Sequence, residues 1–312
     1  MSRNYGLGQR DMKKAGQAAL AMNVKSKAIS FLTAATNGER WSLFVDWAKK
    51  HQIVKMEDIT FDLVCQYGKE LAMQVESGDL AEATAQNYVS AVNSIMAIAT
   101  DHAWKCVSPT KDCKIKKRSS IRDAKPGALV DESYNQAKQA VSDQEGKIPA
   151  IIIDLARNLG LRSKEASLLN ARIAADEAKE KGFVTIKDGT KGGRERKLNI
   201  SSPIQIDILQ RASDAQGNAK ALIDPTQNWK MWREGVLRRT RELVKLKTGG
   251  GLHDLRSAFA CDRYFQLTGQ DAPCVGGKAV DRMTDLAARL IISAELGHGR
   301  IDITNEYLGG QS

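Results

Sequence analysis

The sequence predicts a mainly α-helical protein of two domains, with one small β-hairpin in the second. Three observations predict this class. The 312 residues exceed what a single core usually serves, since domains run to about 100–200 residues. Apolar residues recur at helical spacing along most of the chain, while residues 183–200 read as two extended runs about a glycine-rich turn. Between the halves lies a polar, proline-marked stretch that suits a linker. With 42% hydrophobic and 27% charged residues, the composition is that of a globular chain able to bury a core in each half.

Residues 1–37 open MSRNYGLGQRDMKKAG and read as an N-terminal extension, too short and too polar for a separate domain. They lack the apolar core of a signal peptide, and no stretch of the chain reaches the ~18–20 apolar residues that span a bilayer. The expectation is a soluble, cytoplasmic protein with no membrane partner. Residues 38–104 form the first domain. There Trp41, Phe44 and Trp47 follow at three-residue steps, and Tyr88, Val92, Ile95 and Ala99 share one face of a second stretch entered through polar residues 79–84. An aromatic stripe at that spacing packs a core, and the helical histidines His51 and His102 are read as packed core residues too.

Residues 105–127 form the linker, with Pro109, the run KIKKRSSIR from Lys114 to Arg122, and then Pro126-Gly127. Residues 128–312 form the second domain. Helical periodicity resumes near Glu132 and again over 148–170, FVTI and RKLNI flank the turn DGTKGG as a hairpin, and helices then dominate. No internal repeat or low-complexity tract is present.

Lysine and arginine number 47 against 37 acidic residues, a net charge of +10, which favours a polyanionic partner but also suits any soluble basic protein. Position sharpens this, because residues 105–125 carry eight basic and two acidic side chains. The five cysteines are odd in number and scattered, unlike a secreted disulfide framework. Cys106 and Cys113 lie close together, but no second Cys pair or His pair completes a zinc pattern, so no metal site is expected.

The second domain holds residues suited to attack on a phosphodiester. That reaction builds negative charge on the non-bridging oxygens, so it needs fixed cations, a nucleophile and an acid for the departing oxygen. LGLRSKEASLL places Arg162 after a glycine at the start of a helix, with Glu165 three residues on; alone, these two would read as a surface ion pair. LHDLR puts His253 and Arg256 one turn apart on one face. ELGHGRIDITNEYL gives His298 and, nine residues later, Tyr307.

The set Arg162, Lys191, His253, Arg256, His298 and Tyr307 resembles, in kind, order and local context, the catalytic signature of the tyrosine site-specific recombinases, the family of phage integrases and Xer-type enzymes. The resemblance is close over residues 148–308 and general over 38–103. It implies a helical core-binding domain followed by an α+β catalytic domain. It further implies that Arg162 and Arg256 clamp the scissile phosphate. His253 and His298 would bond the phosphate or handle the tyrosine proton. Tyr307 would be the nucleophile, forming a covalent 3′-phosphotyrosyl link without metal or cofactor. Lys191, in the turn TKGG, would protonate the leaving 5′ oxygen, with Lys187 and Lys197 as nearby alternatives, and Glu165 would orient an arginine.

The partners so implied are double-stranded DNA at specific core sites, a homotetramer in the synaptic complex and, in some systems, accessory DNA-bending proteins. In that setting Lys114, Lys116, Lys117, Arg118 and Arg122 are candidate DNA contacts, and the two domains are expected to clamp the duplex. Two features depart from the pattern: a longer segment between Arg256 and His298, at about 269–290, and only five residues after Tyr307, too few for the tail helix that many relatives pass to a neighbour. The preferred function is integration or excision of a phage or other mobile element. The alternatives are an Xer-like resolvase, a type IB topoisomerase-like enzyme, and a non-catalytic DNA-binding protein of the same fold.

Overall fold

The computed structural model describes residues 3–278 and 280–310. Residues 1, 2, 279, 311 and 312 lie outside the described residues; in the sequence reading they belong to the N-terminal extension, the 269–290 segment and the end of the catalytic domain. The chain divides into two compact units, with the boundary between Ser119 and Ser120.

The first unit is built from α1 (Met12–Lys25), α2 (Phe31–Lys50), α3 (Phe61–Glu76) and α4 (Glu82–Ala99). Asp11, Ser30 and Thr60 cap the first three by accepting a backbone N–H two or three residues into the helix. Trp41 and Phe44 are fully buried in this core, joined by Val92 and Ile95 from α4. The segment read as an extension is part of it: Met12, Ala15 and Leu20 of α1 are core residues, and the Trp41 indole donates to the Met12 carbonyl at 2.8 Å. Gly16 permits that approach, since a Cβ there would fall 2.2 Å from the indole nitrogen.

The larger part of the expected linker, residues 105–119, also belongs to this unit. Val107, Cys113 and Ile115 are buried in its core, and Asn93 pairs with both the N–H and the carbonyl of Val107. Residues 105–119 are therefore a strap on the first unit, and the boundary falls inside the 105–127 stretch. His51 and His102 are both exposed, contrary to their reading as core residues; His51 stacks on Trp47 at 4.1 Å between ring centres.

The second unit contains α5 (Asp131–Glu145), α6 (Lys147–Leu159), α7 (Ser163–Leu168), α8 (Ala171–Lys181), β1 (Phe183–Ile186), β2 (Arg196–Asn199), α9 (Pro203–Gln216), α10 (Trp229–Glu234), α11 (Val236–Thr248), α12 (Leu252–Thr268), α13 (Arg282–Glu295) and α14 (Asn305–Leu308). Helix α6 is buried along almost its whole length and packs against α5, α9 and α12. The two strands pair antiparallel, with Phe183 opposite Asn199 and Ile186 opposite Arg196. The mainly α fold with one small two-stranded sheet is the class the sequence predicts. No helix among the described residues is long and apolar enough to cross a membrane.

Candidate active site

The site forms where four segments of the second unit converge. Helix α6 stops at Gly160, whose φ of +62° suits glycine, and whose Cβ, were there one, would lie 2.5 Å from the Phe259 ring on α12. The chain then turns so that Arg162 caps α7. Its N–H donates to Glu165 Oε2 at 2.8 Å and its guanidinium to Oε1 at 2.7 Å.

Glu165 has no exposed surface. It also receives a two-pronged bond from Arg196 on β2, at 2.9 and 2.7 Å, and Arg256 lies 3.9 Å away. Burial alone would raise the Glu165 carboxyl; the Arg196 bonds and charge, the Arg162 N–H and the Arg256 charge outweigh it and hold the group at about 2. Arg196 is a site residue the sequence reading missed. Its neighbour in the fold is the glycine of the LGH motif: Gly297 has a φ of +67°, and a Cβ there would fall 2.8 Å from Arg196 Cδ.

Arg256 and His253 rise from the first turns of α12, on one face as their spacing requires. Arg256 is 1% exposed. Its two terminal nitrogens donate to the carbonyls of Gly160 and Leu296, and its Nε lies 3.4 Å from the Tyr307 hydroxyl. Burial and the like charges of Arg162 and Arg196 lower it to about 10, while Tyr307 and Glu165 pull the other way, so it remains a cation at neutral pH. Tyr307, on α14, is 1% exposed. Its segment is clamped by the fully buried Arg289, which donates to Thr304 Oγ1, Asn305 Oδ1 and the Gly309 carbonyl at 3.1, 3.0 and 3.2 Å and is itself fixed by Asp285.

His298 follows α13, its N–H bonded to the Ser293 carbonyl at 2.8 Å. Its Nε2 lies 3.0 Å from the Tyr307 hydroxyl, 3.4 Å from Arg256 Nη2 and 3.5 Å from Arg162 Nη2. Guanidinium nitrogens only donate, so Nε2 is the lone-pair nitrogen and Nδ1 carries the proton. The phenol can therefore donate to the lone pair of a neutral imidazole while its oxygen accepts from Arg256. His253 stands 5.2 Å from the Tyr307 ring, centre to centre, with one side open to water.

Partial burial and the charges of Arg256 and Arg162 push both histidines down to about 4. Unfolded histidines titrate near 6.5. Below that value the unfolded chain takes up protons the folded one refuses, so these rings contribute stability that is lost as pH falls from about 6.5 through 4. In DNA-free protein, NMR of the two rings should show both neutral at pH 6, with inflections near 4; an inflection near 6.5 at either would contradict this.

Arg162, Glu165, His253, Arg256, His298 and Tyr307 thus come together. Lys191 does not join them: it is exposed on the hairpin turn and makes no hydrogen bond or ion pair among the described residues. Lys197 lies over the Phe183 ring at 4.4 Å. Lys114, Lys116, Lys117 and Arg118 are exposed, with Lys116 3.7 Å from Glu82. Arg122, unlike these four, is engaged internally: its guanidinium bonds Asp254, Ser257 and the Ala124 carbonyl. Among the described residues no cluster of His, Cys, Asp and Glu is arranged to hold a metal ion.

An integrase family model matches residues 117–262, which include Arg162, Lys191, His253 and Arg256. A search of the curated proteins finds no match by sequence. The fold is similar to that of lambda integrase, solved as a tetramer bound to a Holliday junction, at 16% identity and a TM-score of 0.55 over 92% of this chain and 77% of that one. It is similar to the Tn1549 transposon integrase in complex with circular intermediate DNA, at 12% identity and 0.56 over 95% and 96%. XerH site-specific recombinase, bound to a palindromic difH substrate, matches at 15% identity and 0.58 over 96% and 81%. The integrase match thus lies on residues that fold into this cluster, and the fold is similar to that of these solved recombinases.

Proposed function

We propose that the protein is a site-specific DNA recombinase in which Tyr307 attacks the scissile phosphate and forms a 3′-phosphotyrosyl link. The observation that carries this reading is the Tyr307 hydroxyl set 3.0 Å from the lone-pair nitrogen of His298 and 3.4 Å from Arg256 Nε. His298 takes the phenolic proton as the phosphorus–oxygen bond forms. Arg162 and Arg256 neutralise the non-bridging oxygens, with the Arg162 guanidinium held at the solvent side of Glu165 and Arg256 beneath it. His253, open to water on one side, donates to the same phosphate. These cations supply charge that a divalent ion bears in other phosphoryl-transfer sites, so cleavage should proceed in EDTA.

The substrate is double-stranded DNA, as in the solved relatives, and the working assembly is a homotetramer like the one lambda integrase forms on a Holliday junction. Lys114, Lys116, Lys117 and Arg118 contact its backbone; Arg122 is left out because its guanidinium is already bonded. The recombination integrates or excises a mobile element, in line with the likeness to lambda and transposon integrases.

The test is a pool of nicked duplexes with randomised cores, from which a covalent complex is captured in detergent. Wild type should form it; Tyr307→Phe should retain DNA affinity and form none. An adduct with the phenylalanine variant would overturn the assignment.

Lys191 is the proposed acid for the 5′ oxygen, brought to the site by movement of the glycine-rich turn when DNA binds; Gly192 and Gly193, both at positive φ, permit that movement. Lys191→Ala should lose ~10²–10⁴-fold in cleavage rate. A 5′-bridging sulfur needs no acid and should restore it. Equal defects on both substrates would transfer the role to Lys187 or Lys197.

A further inference from the structure

The Tyr307 segment rests on two sulfur atoms that the chemistry above does not use. Cys261, on α12, and Cys274, on the helical turn Pro273–Val275, have their Sγ atoms 3.7 Å apart. The same atoms lie 3.7 and 3.5 Å from the Tyr307 backbone carbonyl. The turn also abuts the residues that follow: Gly309 has a φ of +87°, and a Cβ there would meet the Cys274 nitrogen at 2.8 Å. The segment 269–290, longer than the resemblance implies, thus supplies part of the floor beneath Tyr307.

The two thiols differ in character. The bond from Cys261, with the charges of Arg122 and Arg289, lowers Cys274, while that shared bond and burial raise Cys261. Two sulfurs 3.7 Å apart, one of them lowered by their shared bond and by nearby positive charge, are placed to react with each other. Cys65 and Cys113 in the first unit contrast with it, since burial raises both, Cys113 to about 12. Cys261 also lines a cleft of about 450 Å³, with Lys125, Asp262, Phe265, Asp271 and Val275, which gives a small oxidant a way in.

We propose that Cys261 and Cys274 form an oxidisable dithiol whose disulfide displaces the Tyr307 segment and so turns strand cleavage off. The consequence for cleavage rests on Tyr307 being the nucleophile. With hydrogen peroxide as oxidant, the Cys274 sulfur attacks one oxygen, the O–O bond breaks, the thiol proton goes to the departing hydroxide, and a sulfenic acid and one water form. Cys261 sulfur then displaces the second water as the S–S bond forms. In sum, two thiols lose two protons and two electrons, and one peroxide becomes two waters. Closing the bond draws the 273–275 turn against α12 and removes both S–H groups from the Tyr307 carbonyl. A displacement of about 1 Å at a nucleophile costs roughly 10²-fold.

The test uses the full chain carrying Cys106→Ser, which removes the exposed thiol. Peroxide-treated protein is alkylated and analysed by mass for a Cys261–Cys274 link, then assayed for covalent adduct on the nicked duplexes. Expected are the link, a roughly 10²-fold slower adduct rate at unchanged DNA affinity, and recovery with dithiothreitol. Cys274→Ser, with Cys261→Ser in parallel should the first fold poorly, should ignore peroxide. A link between other cysteines, or a linked protein that cleaves as fast as the dithiothreitol-treated one, overturns the proposal. Reduced protein that forms no adduct overturns the nucleophile and with it the consequence for cleavage, while the mass still reports whether the bond forms.

Discussion

Replacing Glu165 by glutamine should cost about 3–5 kcal/mol of stability at pH 7, because it removes a buried carboxylate that faces the buried Arg196 and Arg256 as well as Arg162. Arg162 and Arg196 bond it directly, Arg256 stands 3.9 Å away, and Glu165 itself has no exposed surface. The glutamine has nearly the same shape, so packing does not explain the loss. The pH dependence isolates the charge. The folded carboxyl titrates at about 2, below the ordinary 4.5, so its contribution is complete above about 4.5 and is lost as pH falls through 2. That shift amounts to about 3 kcal/mol. Denaturant titrations at pH 7 and pH 3 should therefore show wild type and Glu165→Gln converging at the lower pH. A difference that stays constant between the two would assign the loss to geometry instead.

Arg256→Lys should lower the rate of adduct formation by ~10²–10³ while leaving DNA affinity almost unchanged. Arg256 bonds the carbonyls of Gly160 and Leu296 and still presents Nε toward the Tyr307 hydroxyl. An ammonium is a point charge and cannot hold two carbonyls and the phenol in one plane. Single-turnover rates at saturating DNA, set beside half-saturation concentrations, separate the two effects. A variant with weaker binding and an unchanged rate would show that Arg256 holds DNA without touching the chemistry.

These two residues mark how far the sequence can be read. Arg256 was legible because LHDLR carries it at a fixed spacing from a histidine, and helical geometry then brings both to one face. Glu165 was legible in position but not in importance, because its strongest partner, Arg196, lies 31 residues away in the chain. In sequence Arg196 sits in the charged run RERK; its place two residues before Leu198, on the same face of a strand, was the available signal.

Arg122 shows the opposite limit. A basic run shows charge but not the Asp254 and Ser257 that absorb it. Helix α1 was passed over because the segment is polar on average, although Asp11 followed by Met12, Ala15, Ala19 and Leu20 at helical spacing marks a capped amphipathic helix. The 105–119 strap was read as linker because its buried residues, Val107, Cys113 and Ile115, are too sparse to show a period. No element of α13 in the sequence pointed to the clamp that Arg289 places on residues 304–309; a buried arginine is visible only once its acceptors are folded around it.

The nucleophile is the centre of the account, and the most direct measurement is where the phosphate goes. Wild-type protein, reacted in EDTA with the nicked duplexes, should be digested first with nuclease and then with protease, and the modified peptide sequenced by mass. The expected result is a nucleotide 3′-phosphoryl group on Tyr307, in the peptide that contains ITNEYL. A phosphoryl group on any other residue, or an adduct that forms only when a divalent metal is added, would contradict it.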